Sequence, residues 1–247
     1  MIRFKNKIKA ISLFSNVGIA ETYFADVGIE VVVANELVDK RARFYKHLYP
    51  NVNMICGDIT DKDVFDSVIN EVVNKKVDML IATPPCQGMS CAGRKDPKDP
   101  RNFLIFYAVE AIKKIKPRFV IIENVPMQQH TQILYKDEYI FIPDYIEREL
   151  GEIYRINENR IVNTMDYGIP QSRQRYIYLM VNKLEGIKWE FPEKENKIIT
   201  MKEAIGDLPS LDPCVREDSE KWRFPHYEDK RQKGLKVSKW HYPPVHR

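Results

Sequence analysis

The chain has 247 residues, 44% of them hydrophobic, which suits one α/β domain, or a domain with a fragment of a second, and excludes a disordered chain. Charged residues make up 30% yet leave a balance of only +4, which permits nucleic acid as a partner without demanding it. Cys56, Cys86, Cys91 and Cys214 form no CxxC pair and no histidines cluster near them, so no metal site is expected, and no apolar stretch approaches the ~20 residues that span a bilayer.

Met1 to Phe14 is basic and then apolar, but Lys9 interrupts it and no small-residue cleavage site follows. It reads as a first strand rather than a signal peptide, so a soluble, cytoplasmic protein with reduced thiols is expected. Short apolar runs, mostly rich in β-branched residues, follow at Val31 to Asn35, Val77 to Ala82 and Phe119 to Glu123. Between them, Ile19 to Asp26, Lys40 to Leu48, Lys62 to Val73 and Phe103 to Ile115 carry apolar residues at helical spacing. That alternation predicts an α/β fold with a doubly wound, mostly parallel sheet. Tyr154 to Asn163 and Arg175 to Val181 read as two further strands, which would give the sheet an antiparallel edge. Beyond Val181 the prolines and dense charge mark a change. Residues 1–185 are expected to form the catalytic domain, and 186–247 a linker and the start of an incomplete second region. From Lys230 onward basic residues are interleaved with Trp240 and Tyr242 and no acid intervenes, a pattern that suits either phosphate contacts or a solvated tail.

In doubly wound sheets ligands bind beyond the carboxyl ends of the strands, so the chemistry is sought after each apolar run. The first run ends in Phe14-Ser15-Asn16-Val17-Gly18, whose asparagine and glycine accept positive φ and suit a tight ligand-facing turn. It lacks the spacing of a dinucleotide or triphosphate loop. Glu36 stands at the tip of the second run about twenty residues on, where an acid commonly bonds ribose hydroxyls. The third run ends in Gly57-Asp58-Ile59, another acid with an apolar neighbour. Two acids beside a glycine turn point to a nucleoside cofactor without a pyrophosphate, and S-adenosylmethionine fits better than NAD.

The fourth run ends in Thr83-Pro84-Pro85-Cys86-Gln87-Gly88. Two prolines stiffen the approach to Cys86, and a polar loop, Gly88 to Arg101, follows; such a thiol suits a nucleophile rather than a core cysteine. The fifth run ends in Glu123-Asn124-Val125, which places a candidate proton donor at the neighbouring strand tip. Gln171-Ser172-Arg173-Gln174-Arg175 puts two arginines at alternate positions entering a strand, which suits a phosphate or a base carbonyl.

In order and spacing, Pro84-Pro85-Cys86-Gln87, Glu123-Asn124-Val125 and Gln171-Ser172-Arg173-Gln174-Arg175 resemble the motifs of the DNA cytosine-5 methyltransferase family, a likeness that covers roughly Lys7 to Val181. The resemblance implies that S-adenosylmethionine binds along Phe14, Ser15, Asn16, Gly18, Glu36, Asp58, Ile59, Pro84, Asn102 and Leu104. Phe14 would stack on the adenine, Glu36 bind the ribose, and Asp58 with Ile59 contact the adenine. Cys86 would attack cytosine C6, Glu123 serve N3, Arg175 hold O2, and Arg173 hold a phosphate. It implies double-stranded DNA as the partner, a flipped-out base, a restriction-modification setting, and a nucleoid-associated enzyme in a prokaryote. Ser12 and Asn16 depart from the acid and the second glycine usual in the first motif. The target-recognition domain and the closing helix that complete such enzymes have no match here, so the chain resembles either the larger subunit of a split enzyme or a truncated piece of a longer one, and a second polypeptide supplying the missing parts is expected. The alternatives are an RNA cytosine methyltransferase, disfavoured by Gly88-Met89 after the Pro-Pro-Cys-Gln motif, and a catalytically silent DNA-binding homologue, disfavoured by the joint presence of Cys86, Glu123 and Arg175.

Overall fold

The computed structural model describes residues 7–85 and 99–207. Cys86, most of the loop that follows it, and the basic segment from Lys230 lie outside the described residues. The chain divides into two compact units, one built from residues 7–161 with Arg175–Phe191, the other from Val162–Gln174 with residues 192–207.

The first unit is a sheet wound on both faces. Its parallel strands are β1 (Ile8–Leu13), β2 (Ile29–Glu36), β3 (Asn53–Cys56), β4 (Met79–Ala82) and β5 (Phe119–Asn124). A hairpin, β6 (Gln132–Tyr135) and β7 (Glu138–Phe141), stands apart from the sheet. The later strands are β8 (Tyr154–Ile156), β9 (Ile161–Asn163) and β10 (Gln174–Asn182), and the order along the sheet runs β3-β2-β1-β4-β5-β10-β8. β10 is antiparallel to both β5 and β8, which makes the antiparallel edge expected from the sequence.

Side-chain alternation explains the layering. Ile11, Leu13, Leu80, Ala82, Val120 and Ile122 face one side and form the main core with α2 (Lys62–Lys75), α3 (Leu104–Ile115) and α4 (Ile142–Leu150). Phe65, Val68 and Val72 are the buried stripe of α2, at i, i+3 and i+7, and the Asp61 side chain caps that helix by accepting from the Asp63 and Val64 N–H groups. On the opposite side Ile8, Ala10, Met79, Phe119 and Val181 form a second cluster, while α1 (Asp39–Leu48) lays Tyr45 against Ala34.

Two expectations change. Ile19 to Asp26 is not an α-helix; it is a series of turns ending in a short 3-10 turn, Ala25–Val27, capped by Gly28 at φ 82°. Its apolar stripe, Ile19, Tyr23 and Val27, is 76%, 48% and 57% exposed, so the packing that stabilises a short helix is missing. The run from Tyr154 to Asn163 is two strands rather than one. Asn157 interrupts it: its Oδ1 accepts from the Leu179 N–H at 2.9 Å and its Nδ2 donates to the Asn159 carbonyl at 2.5 Å, which turns the chain out of the ladder.

Candidate active site

The carboxyl ends of β1, β2, β3 and β4 are tied together by backbone and short polar side chains. Beyond β1 the chain turns sharply, with Phe14 and Asn16 both left-handed at φ 58° and 51° and Gly18 at φ 82°. Non-glycine residues accept this conformation only where neighbours hold it. Thr83 Oγ1, just past β4, donates to the Phe14 carbonyl at 3.0 Å, and the Ser15 N–H donates to the Asn35 carbonyl at 3.0 Å. The Asn16 N–H donates to Glu36 Oε2 at 2.9 Å, and the Tyr49 hydroxyl donates to the Gly18 carbonyl at 2.8 Å.

Glu36, at the tip of β2, is buried and accepts from two backbone donors, Asn16 and Val38, each at 2.9 Å. Two acceptor sites remain on the carboxylate, enough for a pair of vicinal hydroxyls. Asn35 beside it donates to the Ile55 and Gly57 carbonyls, fixing the end of β3. Ile59 is thereby buried while Asp58 stays exposed, its Oδ1 accepting from the Thr60 N–H. Asp99 caps the 3-10 turn Pro100–Phe103, which holds Asn102 buried and leads into Leu104 at the start of α3. The turn, the β2 carboxylate and the partly buried Phe14 together offer a ring face, hydroxyl acceptors and backbone donors, a set that fits a nucleoside with a polar tail.

The next strand pair carries the candidate reactive groups. Asn124, 1% exposed at the end of β5, donates from Nδ2 to the Pro84 carbonyl at 3.1 Å, while its Oδ1 accepts from the Val125 N–H. Pro84 stands two residues before Cys86, so this amide anchors the approach to the candidate nucleophile. Glu123 projects to the other face of β5 from Asn124. Because Ile177 of β10 is its register partner, Arg175 two residues earlier projects on the same face as Glu123. Arg175 Nε lies 2.6 Å from Glu123 Oε1. Arg173 precedes β10 and belongs to the second unit, where it is exposed; its N–H donates to Asn163 Oδ1 and its carbonyl accepts from the Thr164 N–H.

Sequence reasoning passed over three residues that shape the candidate site: Asn35, Asn124 and Tyr49. Asn124 stands inside a motif already singled out. The other two act through folded contacts that spacing does not register.

The sequence profile of the C-5 cytosine-specific DNA methylase family matches residues 8–243. The chain belongs to this family. Type II methyltransferase M1.HgaI of Avibacterium volantium is 41% identical over 225 residues, covering 89% of this chain and 62% of that protein. Type II methyltransferase M.DdeI of Desulfomicrobium norvegicum is 31% identical, over 91% of this chain and 54% of its own length. Among solved structures, an E. coli prophage-encoded protein described as a DNA modification methyltransferase superposes with a TM-score of 0.65 at 25% identity, covering 83% of this chain and 56% of that one. This family member thus spans roughly half to three-fifths of the relatives it matches. Family and fold imply use of S-adenosylmethionine in general. No helix among the described residues is long and apolar enough to cross a membrane.

Proposed function

We propose that the chain carries the catalytic part of a DNA cytosine-5 methyltransferase of the restriction-modification kind, acting on a cytosine turned out of duplex DNA. The observation that carries this reading is the Glu123–Arg175 contact at 2.6 Å, beside the strand whose Pro84 leads into Cys86. S-adenosylmethionine, when bound, supplies a methyl group on a sulfonium; the Phe14–Gly18 turn, Glu36, Asp58, Ile59, Pro84, Asn102 and Leu104 would hold it.

Cytosine C5 is a poor nucleophile until C6 carries an added electron-rich group. The Cys86 thiolate adds to C6, and Glu123, in its acid form once the base replaces its Arg175 contact, gives its proton to N3, where the ring's negative charge collects. The electron pair then lies along C5, ready to take a methyl group. After methylation the C5 proton passes to a solvent base, N3 returns its proton to Glu123, and the C6–sulfur bond breaks, which frees the thiolate and restores the aromatic ring. Arg175 holds the base O2, and Arg173 a neighbouring phosphate. The base must leave the helix stack to reach the thiol.

A second polypeptide, or a further part of the same one, supplies target recognition; the exposed Ile19, Tyr23 and Val27 stripe beside the Phe14–Gly18 turn supports a surface that such a part covers. The experiment is covalent trapping. Duplex oligonucleotides carrying 5-fluorocytosine at the methylation site, with S-adenosylmethionine and any needed second chain, should become fixed to Cys86, and Cys86→Ala should abolish the adduct. Trapping of tRNA instead of DNA would favour the RNA alternative, and the absence of any adduct would refute both.

A further inference from the structure

The Phe14–Gly18 turn rests on a buried polar cluster that the chemistry above leaves unused. Glu21, three residues past Gly18, is 3% exposed, and neither carboxylate oxygen meets a hydrogen-bond partner among the described residues. Ser12 of β1, 2% exposed, faces it closely enough for its hydroxyl to act on the carboxyl, though short of full hydrogen-bonding geometry. From α1 and its C-terminal end come Tyr45 and Tyr49, rings 4.8 Å apart, whose phenols both feel the Glu21 charge. Tyr45 is fully buried and its hydroxyl also lacks a partner, whereas the Tyr49 hydroxyl holds the Gly18 carbonyl.

An apolar side chain of the same volume would stand here without the desolvation cost that a carboxyl bears. Burial raises the Glu21 pKa, which favours the neutral acid, a group that can donate to Ser12 or Tyr45. The turn needs such support, because two of its non-glycine residues are left-handed and its bonds with Thr83, Asn35 and Glu36 tie only Phe14, Ser15 and Asn16.

We propose that Glu21 is a positioning residue for the cofactor turn, bracing Phe14–Gly18 from beneath through Ser12 and the Tyr45–Tyr49 pair. This rests on reading that turn as the cofactor loop, so the test has one arm that needs no cofactor. In the full chain, Glu21→Met should speed amide hydrogen exchange in residues 10–24 by about fivefold or more and leave β5 peptides unchanged, while Glu21→Gln stays within about twofold of the parent. Binding of S-adenosylmethionine by calorimetry should weaken about tenfold in Glu21→Met and hold in Glu21→Gln. Parent-like exchange in Glu21→Met overturns the proposal, as does faster exchange with unaltered cofactor affinity. Should Glu21→Met fail to fold, Ser12→Ala removes the facing hydroxyl at little cost in volume; it should loosen the same residues, and unaltered exchange there counts equally against the idea. A parent chain that binds no cofactor would fault the reading of the turn, while the exchange arm would still decide what Glu21 does.

Discussion

Glu123 and Arg175 meet on one face of an antiparallel strand pair, Oε1 to Nε at 2.6 Å, with side chains 32% and 19% exposed. The two groups proposed to grip opposite parts of the cytosine edge thus hold each other in the protein by itself. Entry of the base exchanges one polar contact for others rather than uncovering a bare buried charge. Glu123→Gln keeps the shape but removes the acid, and should lower methyl transfer by about 10²-fold or more. The thermal midpoint should move by only a few degrees, about what loss of a part-exposed ion pair implies. Tritium transfer to DNA within about threefold of the parent would exclude Glu123 from the proton-handling role.

Asn124→Ala should act on Cys86 without touching it. The substitution leaves the Pro84 carbonyl and the Val125 N–H without their side-chain partners, a cost of about 1–3 kcal/mol for buried groups. The residues leading to the thiol lose their tether. The 5-fluorocytosine adduct should form about tenfold more slowly or worse, and an unchanged trapping rate would mean that Pro84 is held by other contacts.

The sheet and the reactive strand tips were legible because both depend on local pattern. The runs in β1, β2, β4 and β5 are short and apolar, those in β2 and β5 largely β-branched, and their polar ends mark where a ligand is sought. Less local features were not legible. The β6–β7 hairpin turns on Lys136 and Asp137, left-handed at φ 48° and 66°, where an Asn-Gly pair would have announced it. The stretch from Ile19 to Asp26 has helical spacing, but its stripe finds no partner among the described residues, and periodicity cannot say whether a partner exists. Glu21 lies in the same stretch, and nothing in the local pattern announces its burial to 3% exposure.

Gly18→Ala should damage the cofactor turn. A Cβ there would lie 2.3 Å from Tyr49 Cε2 and 2.9 Å from Tyr45 Cε2, and the φ of 82° is strained for any L side chain. Tyr45 is fully buried and cannot swing aside, so the turn or α1 must shift. A loss of roughly 1–3 kcal/mol in unfolding free energy is expected, together with cofactor binding weakened about tenfold or more. Denaturant unfolding and calorimetric titration measure the two separately; full retention of both would show that the turn relaxes freely.

Acid sensitivity should trace in part to Glu149. Its carboxylate accepts from Lys113 Nζ and from the Tyr135 hydroxyl, each at 2.7 Å, and these bonds, the lysine's first, hold its pKa below the ordinary 4.5. A carboxyl whose folded pKa is depressed contributes stability above its unfolded value and loses that contribution as pH falls through the folded value. The window therefore opens near 4.5 and extends downward. Glu149→Gln should cost about 1 kcal/mol at pH 7, discounted because the Lys113 end is partly open to solvent, and should flatten unfolding free energy against pH below that point. Since Glu149 is none of the residues proposed to hold the cofactor, cofactor affinity at pH 7 should stay with the parent. Urea midpoints at several pH values test both parts, and equal acid slopes in parent and variant would remove Glu149 from the account.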